Sequence, residues 1–176
     1  MGAGKSSVGR ALAGRLGWAF EDLDQRIESR DGRRIAEIFR VAGEAEFRHK
    51  EHVALKQLLE ELREGSEAVV ALGGGAFIQE SNAALIEGSG IPTVFLDAGV
   101  DELWRRCVEE SAKVGTERPL LARSEGLRDL YEKRRPYYLK ARLRQETHGK
   151  TVEAVAAELI QALQLASGGR KRGENE

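Results

Sequence analysis

The chain has a single cysteine, Cys107, among its 176 residues. A lone thiol excludes an internal disulfide framework and fits a reducing compartment, with Cys107 read as a small packed side chain rather than a reactive group. No apolar run approaches the length that spans a bilayer. An excess of one charge is missing as well, since 28 Lys and Arg against 29 Asp and Glu leave a formal net charge of −1. That balance gives no electrostatic footprint for nucleic acid or an anionic membrane, although local basic clusters remain able to bind small anions. The hydrophobic content of 41% suffices for the core of one domain. These features predict a cytoplasmic enzyme with neither nucleic-acid nor membrane partners.

What is present begins at the first residues. Met1-Gly2-Ala3-Gly4-Lys5-Ser6-Ser7 carries the end of the pattern G-x-x-x-x-G-K-[ST]. In that pattern backbone N–H groups cradle phosphates, the Lys reaches β/γ-phosphate oxygens and the hydroxyl meets Mg²⁺. Gly4, Lys5 and Ser6 fill its last three positions. Its first glycine, and the apolar strand that normally precedes such a loop, fall upstream of Met1. The expectation is therefore that the natural protein starts further upstream and that Met1 is an internal methionine. Taken alone, the segment also fits a flexible Gly-rich leader. A helix starting at the right place, with two carboxylates after the next strand, favours the phosphate loop.

Val8, Leu12 and Leu16 recur every four residues, and Gly17 follows as a left-handed cap. Trp18-Ala19-Phe20 reads as a strand running into Glu21-Asp22-Leu23-Asp24. Residues 27–30 and 35–40 read as helix pieces broken at Asp31-Gly32, and 44–63 as a longer helix burying Phe47, Ala54, Leu58 and Leu62. Residues 68–72 form the best strand, and its unbroken apolar run implies cover on both sides and a parallel sheet. A strand over 93–96 leads to a helix through Leu103 and Arg106, then a charged connection over 111–124. Residues 127–141 read as a helix bent or interrupted at Pro136. A weak strand over 143–147 precedes a helix capped by Thr151 that buries Val155, Leu159, Ile160 and Leu163. The alternation predicts an α/β, three-layer P-loop fold with a parallel sheet. It also predicts one domain over 1–166, with a lid near 108–124 and a disordered tail over 167–176.

Asp22 and Asp24, two apart, project to one face of an ideal strand. Two carboxylates there divide the labour of phosphoryl transfer, one holding metal and the other orienting or deprotonating a hydroxyl. Asp-x-Asp in isolation more often marks a polar strand-to-helix turn with an N-capping Asp. Gly73-Gly74-Gly75, directly after a strand, suits close approach of a ligand to the main chain, a plain tight turn being the alternative. His49 and His52 lie three apart on a helix, but a metal site needs more ligands than these two.

The order of motifs resembles the shikimate kinases: G-A-G-K-S-S-V-G-R, D-L-D, G-E-A-E-F-R, L-G-G-G-A, R-P-L-L and R-R-P-Y-Y. The likeness covers about residues 1 to 165. It implies a five-stranded sheet and ATP- and Mg²⁺-dependent phosphorylation of the 3-hydroxyl of shikimate, on the route to chorismate and the aromatic amino acids. Residues 2–7, that is Gly2, Ala3, Gly4, Lys5, Ser6 and Ser7, would hold the ATP phosphates. Ser6 would ligate Mg²⁺ with help from Asp22, and Asp24 would bind the substrate's hydroxyls and act as base. Arg48 and Arg134 would grip the substrate carboxylate, and Gly73, Gly74 and Gly75 would line its pocket. Arg118 would be the lid arginine, and Arg106 would pack near the adenine. The resemblance also implies a monomer. The segment 108–117 departs from the family in being longer than the usual lid. Two other readings share these residues: a kinase for another small hydroxy acid such as gluconate, and a non-catalytic ligand-sensing domain of the same fold.

Overall fold

The structure, a computed structural model, describes residues 2–114 and 124–165. They fall into two compact units: Met1–Lys5 with Leu72–Thr151, and Ser6–Ala71 with Val152–Glu176.

The second of these contains α1 (Lys5–Leu16) beyond its first residue, β1 (Ala19–Asp22), α2 (Leu23–Asp31), α3 (Ile35–Arg63), β2 (Ala68–Ala71) and α7 (Val152–Ala162). The four-residue spacing in α1 does bury Val8, Leu12 and Leu16. Gly17 then turns left-handed at φ 74°, and the Trp18 N–H donates to the Ala13 carbonyl at 3.0 Å, closing the last turn. β1 and β2 run parallel, with Ala19 opposite Ala68 and Asp22 opposite Ala71. A β-carbon on Gly9 would lie 2.6 Å from Cε2 of Phe20, so only glycine lets α1 close on β1 here. Gly32, at φ 78°, ends α2 where the sequence placed the break. The two helix pieces expected over 35–40 and 44–63 are both present within α3 and meet at a kink, where Gly43 leaves the helical region at φ 81° and ψ 174°. Phe47, Ala54 and Leu58 are buried on it, whereas Leu62 is half-buried. α7 buries Val155, Ala156 and Leu159.

The first unit holds a 3₁₀ turn (Ala76–Ile78), α4 (Glu80–Ser89), β3 (Val94–Asp97), α5 (Val100–Val114), α6 (Ser124–Tyr138) and β4 (Leu143–Glu146). β3 and β4 are parallel, with Val94 opposite Leu143. Ala98, Leu103 and Leu127 form a small core against which Ala3, Trp104 and Tyr131 pack. α6 runs through Pro136 to Tyr138 rather than breaking there.

The parallel pairing and the α/β alternation match expectation. The described residues carry four strands in two parallel pairs, against the five-stranded sheet implied by the resemblance. Val69 and Val70 in β2 are half-buried instead of covered on both sides. Among the described residues β2 has a neighbour along one edge only, β1. Asp22 and Asp24 do not share a strand face, because β1 stops at Asp22 and Asp24 lies in the first turn of α2. α5 extends to Val114, beyond the expected start of the connection at 111. Arg118 and the tail over 167–176 lie outside the described residues.

Candidate functional site

The start of α1 follows from its glycines. Gly2 and Gly4 adopt φ 67° and 80°, a region unfavourable to other residues, and this curls the chain into the helix at Lys5. A β-carbon on Gly2 would sit 2.7 Å from the Leu103 carbonyl oxygen and 3.0 Å from Sγ of Cys107. The buried thiol of Cys107 thus packs beneath the loop, as expected of a small side chain. Lys5 is half-buried at the first position of the helix. Ser7 is exposed on α1.

In the unit of Ser6–Ala71, Ser6 Oγ donates to Oδ2 of Asp22 at 3.0 Å. The other oxygen, Oδ1, accepts the Asp24 N–H at 3.1 Å, so Asp22 is the N-cap of α2. The capping alternative for Asp-x-Asp is therefore what Asp22 displays: the cap fixes the carboxylate, and its second oxygen accepts the Ser6 hydroxyl. Cap geometry is what stops β1 and turns Asp24 into the helix. Two hard oxygen donors this close suit Mg²⁺, which prefers one or two protein oxygens together with phosphate and water. Among the described residues no group of three or more His, Cys, Asp and Glu is placed to hold a metal by itself.

Arg48, on α3, is held by its own helix. Nη1 donates to Oε2 of Glu51 at 2.9 Å, while Nε and Nη2 donate to Oε1 of Glu44 at 3.2 and 3.1 Å. Glu51 is 1% exposed and Glu44's side chain 67%. Burial opposes the charge on Arg48, and the two carboxylates outweigh it, so its pKa lies above the ordinary arginine value. Its guanidinium lies 5.2 Å from the centre of the Phe47 ring, which packs 4.5 Å from Phe39. Phe39 remains 36% exposed. Neither Glu51 nor Phe39 was singled out from the sequence. The three-residue spacing of Arg48 and Glu51 was the available signal for the first.

In the unit of Leu72–Thr151, the glycine loop and α6 meet. Gly73 O accepts the Ala76 N–H at 3.1 Å, Gly75 O accepts the Ile78 N–H at 3.2 Å, and Gly74 O accepts the Tyr138 hydroxyl. None of the three glycines has positive φ. Space, not conformation, is what Gly74 supplies: a β-carbon there would lie 3.1 Å from Nη1 of Arg134 and 3.4 Å from the Tyr138 hydroxyl. Burial raises the Tyr138 pKa, with the Arg134 charge pulling against it, so the phenol stays a neutral donor. Tyr138 is thus a polar latch whose ring packs 5.4 Å from Phe95. Tyr137 is exposed. Arg106 donates from Nε to Glu102 at 2.7 Å and from Nη2 to the Thr147 carbonyl at 3.4 Å, tying α5 to the segment after β4.

A phosphate loop opening a helix, parallel strands and a Ser–Asp oxygen pair define a P-loop kinase class. The family model for shikimate kinase matches residues 1–164. The shikimate kinase of Cereibacter sphaeroides is 43% identical, covering 93% of this chain and 78% of its own length. That of Persephonella marina is 35% identical, covering 91% and 92%. The solved shikimate kinase from Acinetobacter baumannii in complex with shikimate matches with a TM-score of 0.80 at 35% identity, over 93% of this chain and 88% of that one. The Aquifex aeolicus enzyme gives 0.78 at 34% identity, over 93% and 92%. The chain belongs to the shikimate kinase family.

Proposed function

We propose that this chain transfers the γ-phosphoryl group of ATP to the 3-hydroxyl of shikimate, giving shikimate 3-phosphate on the route to aromatic amino acids. The observation that carries this reading is the likeness, over 93% of the chain, to an enzyme whose structure holds shikimate. In this reading Gly2–Ser7 wrap the ATP phosphates, Lys5 supplies charge to the β/γ oxygens, and Arg106 flanks the adenine. Ser6 and Asp22 hold Mg²⁺, whose chemistry is to neutralise charge on the phosphates. Asp24 orients the attacking hydroxyl and accepts its proton. Arg48 and Arg134 bind the carboxylate, each offering a planar fork of donors, and Phe39, backed by the buried Phe47, gives the ring an apolar wall. Gly73, Gly74 and Gly75 border the substrate through main-chain groups. Arg118 closes over the transferring group.

Catalysis of this kind rests on positioning, since an anchored carboxylate leaves one ring hydroxyl aligned with the γ-phosphate. Among the described residues no helix is long and apolar enough to cross a membrane. On the family's pattern the enzyme acts as a cytoplasmic monomer. The test is a coupled ADP-release assay with shikimate and gluconate in parallel. Turnover with shikimate alone is expected; turnover only with gluconate, or ATP binding without transfer to either, would overturn the reading.

A further inference from the structure

Asp97, the last residue of β3, is 5% exposed and has no part in the chemistry described above. Its Oδ1 accepts the Tyr131 hydroxyl at 2.9 Å, and its Oδ2 accepts Nε of Arg144 at 2.7 Å and Nη2 of Arg135 at 3.5 Å. Arg135 also donates from Nε to the Tyr131 oxygen at 3.2 Å. The Asp97 carbonyl, in turn, accepts the N–H and the hydroxyl of Thr147 at 2.9 and 3.2 Å. Two of these donors, Tyr131 and Arg135, stand one turn apart on α6. The residues that meet the glycine loop, Arg134 and Tyr138, stand one turn apart on the same helix, and Arg134 neighbours Arg135 in the chain. One buried carboxylate therefore fixes α6 both along its axis and in rotation about it. An apolar contact of equal area would resist neither sliding nor rolling so well, because hydrophobic burial is not directional.

We propose that Asp97 is a positioning residue for substrate: through Tyr131 and Arg135 it sets the rotation of α6 that holds the Arg134 guanidinium against Gly74. The inference rests on Arg134 binding the substrate carboxylate. Because the Asp97 side chain acts at one remove, its loss shifts affinity for the acid substrate and spares both ATP binding and the chemical step.

The experiment is a kinetic double-mutant cycle on the full chain, with Asp97→Asn, Arg134→Ala and the pair, titrating shikimate at saturating ATP and ATP at saturating shikimate. Asp97→Asn keeps the shape and removes the charge. It is expected to raise KM for shikimate about fivefold, with kcat and KM for ATP within about twofold. In the Arg134→Ala background the same change is expected to move KM by less than about twofold. A uniform fall in kcat with both KM values altered, which a merely structural role would give, overturns the proposal. So does an Asp97→Asn effect that persists undiminished without the Arg134 guanidinium. If Arg134→Ala alone leaves KM for shikimate unchanged, the carboxylate role of Arg134 fails, and the proposal falls with it. Should Asp97→Asn not fold, Tyr131→Phe removes one donor while leaving the Asp97–Arg144 pair, and the same cycle is read on it.

Discussion

Gly74→Ala is expected to move stability and substrate affinity in opposite directions. The new methyl would lie 3.1 Å from Nη1 of Arg134 and 3.4 Å from the Tyr138 hydroxyl. The second distance is ordinary contact; the first is a few tenths of an ångström too close, and the far end of a flexible arginine is what yields. The backbone does not object, since Gly74 is outside the left-handed region. Alanine also restricts the unfolded chain, a gain of about 0.4–1 kcal/mol. For a domain of this size that raises Tm by about 1–4 °C, less whatever the Arg134 shift costs. Displacing one arm of a charge-assisted pair worth about 1.5–3 kcal/mol forfeits roughly half of it. That corresponds to a KM for shikimate about four- to thirteenfold higher. Thermal melting and a shikimate titration at saturating ATP read the two effects separately. A lower Tm with unchanged KM would mean that the glycine serves the turn and not the ligand, and the reasoning would be refuted.

The two glutamates on Arg48 are expected to behave differently. Glu51→Gln leaves one neutral acceptor in place of a buried charged one, a loss of about 1–2 kcal/mol. Melting should fall by about 2–8 °C. Glu44→Gln removes an exposed partner worth roughly 0–1 kcal/mol, so Tm should barely change. Its KM for shikimate should fall modestly; equal Tm losses from both variants would show that burial does not distinguish them. A third expectation concerns acid. The Arg33 and Lys50 side chains, the latter at 3.0 Å, hold Asp31 at a pKa of about 2, down from 3.8. A depressed carboxylate stabilises the fold fully above the unfolded value and ceases to do so as pH falls through the folded one. The Tm difference between the wild type and Asp31→Asn should thus be constant above about pH 5 and vanish toward pH 2. A difference independent of pH would exclude the Asp31 charge as its source.

What the sequence made legible was local. The four-residue rhythm of Val8, Leu12 and Leu16 and the stops at Gly17 and Gly32 depend on neighbours within one turn, and they stand where expected. The motif order carried the family because its glycines and charges are read one by one along the chain. Contacts closed over long stretches left no such trace. Asp97 meets Tyr131 and Arg144 across 34 and 47 residues, and Tyr138 meets Gly74 across 64. Alternation alone also misjudged Asp22 and Asp24, since the cap that Asp22 forms ends the strand before the second carboxylate. The junction within α3 was legible for the same local reason: the pieces expected over 35–40 and 44–63 meet at Gly43, whose φ of 81° and ψ of 174° lie outside the helical region.

If Arg48 binds the substrate carboxylate as proposed, its two partners explain how a held arginine stays able to do so. Two glutamates on one guanidinium leave a local charge of −1, which by itself repels a carboxylate. Their exposures differ, however: Glu51 is sealed, and its Nη1 bond is costly to break, while Glu44 is bathed in water and screened. An incoming carboxylate therefore exchanges with Glu44 at little cost and leaves the bond to Glu51 intact. Two of the donors that this exchange offers, Nε and Nη2, lie side by side on the planar group, the pairing that a carboxylate accepts bidentately. On this view Glu51 fixes the fork, and Glu44 occupies its outer edge until substrate replaces it.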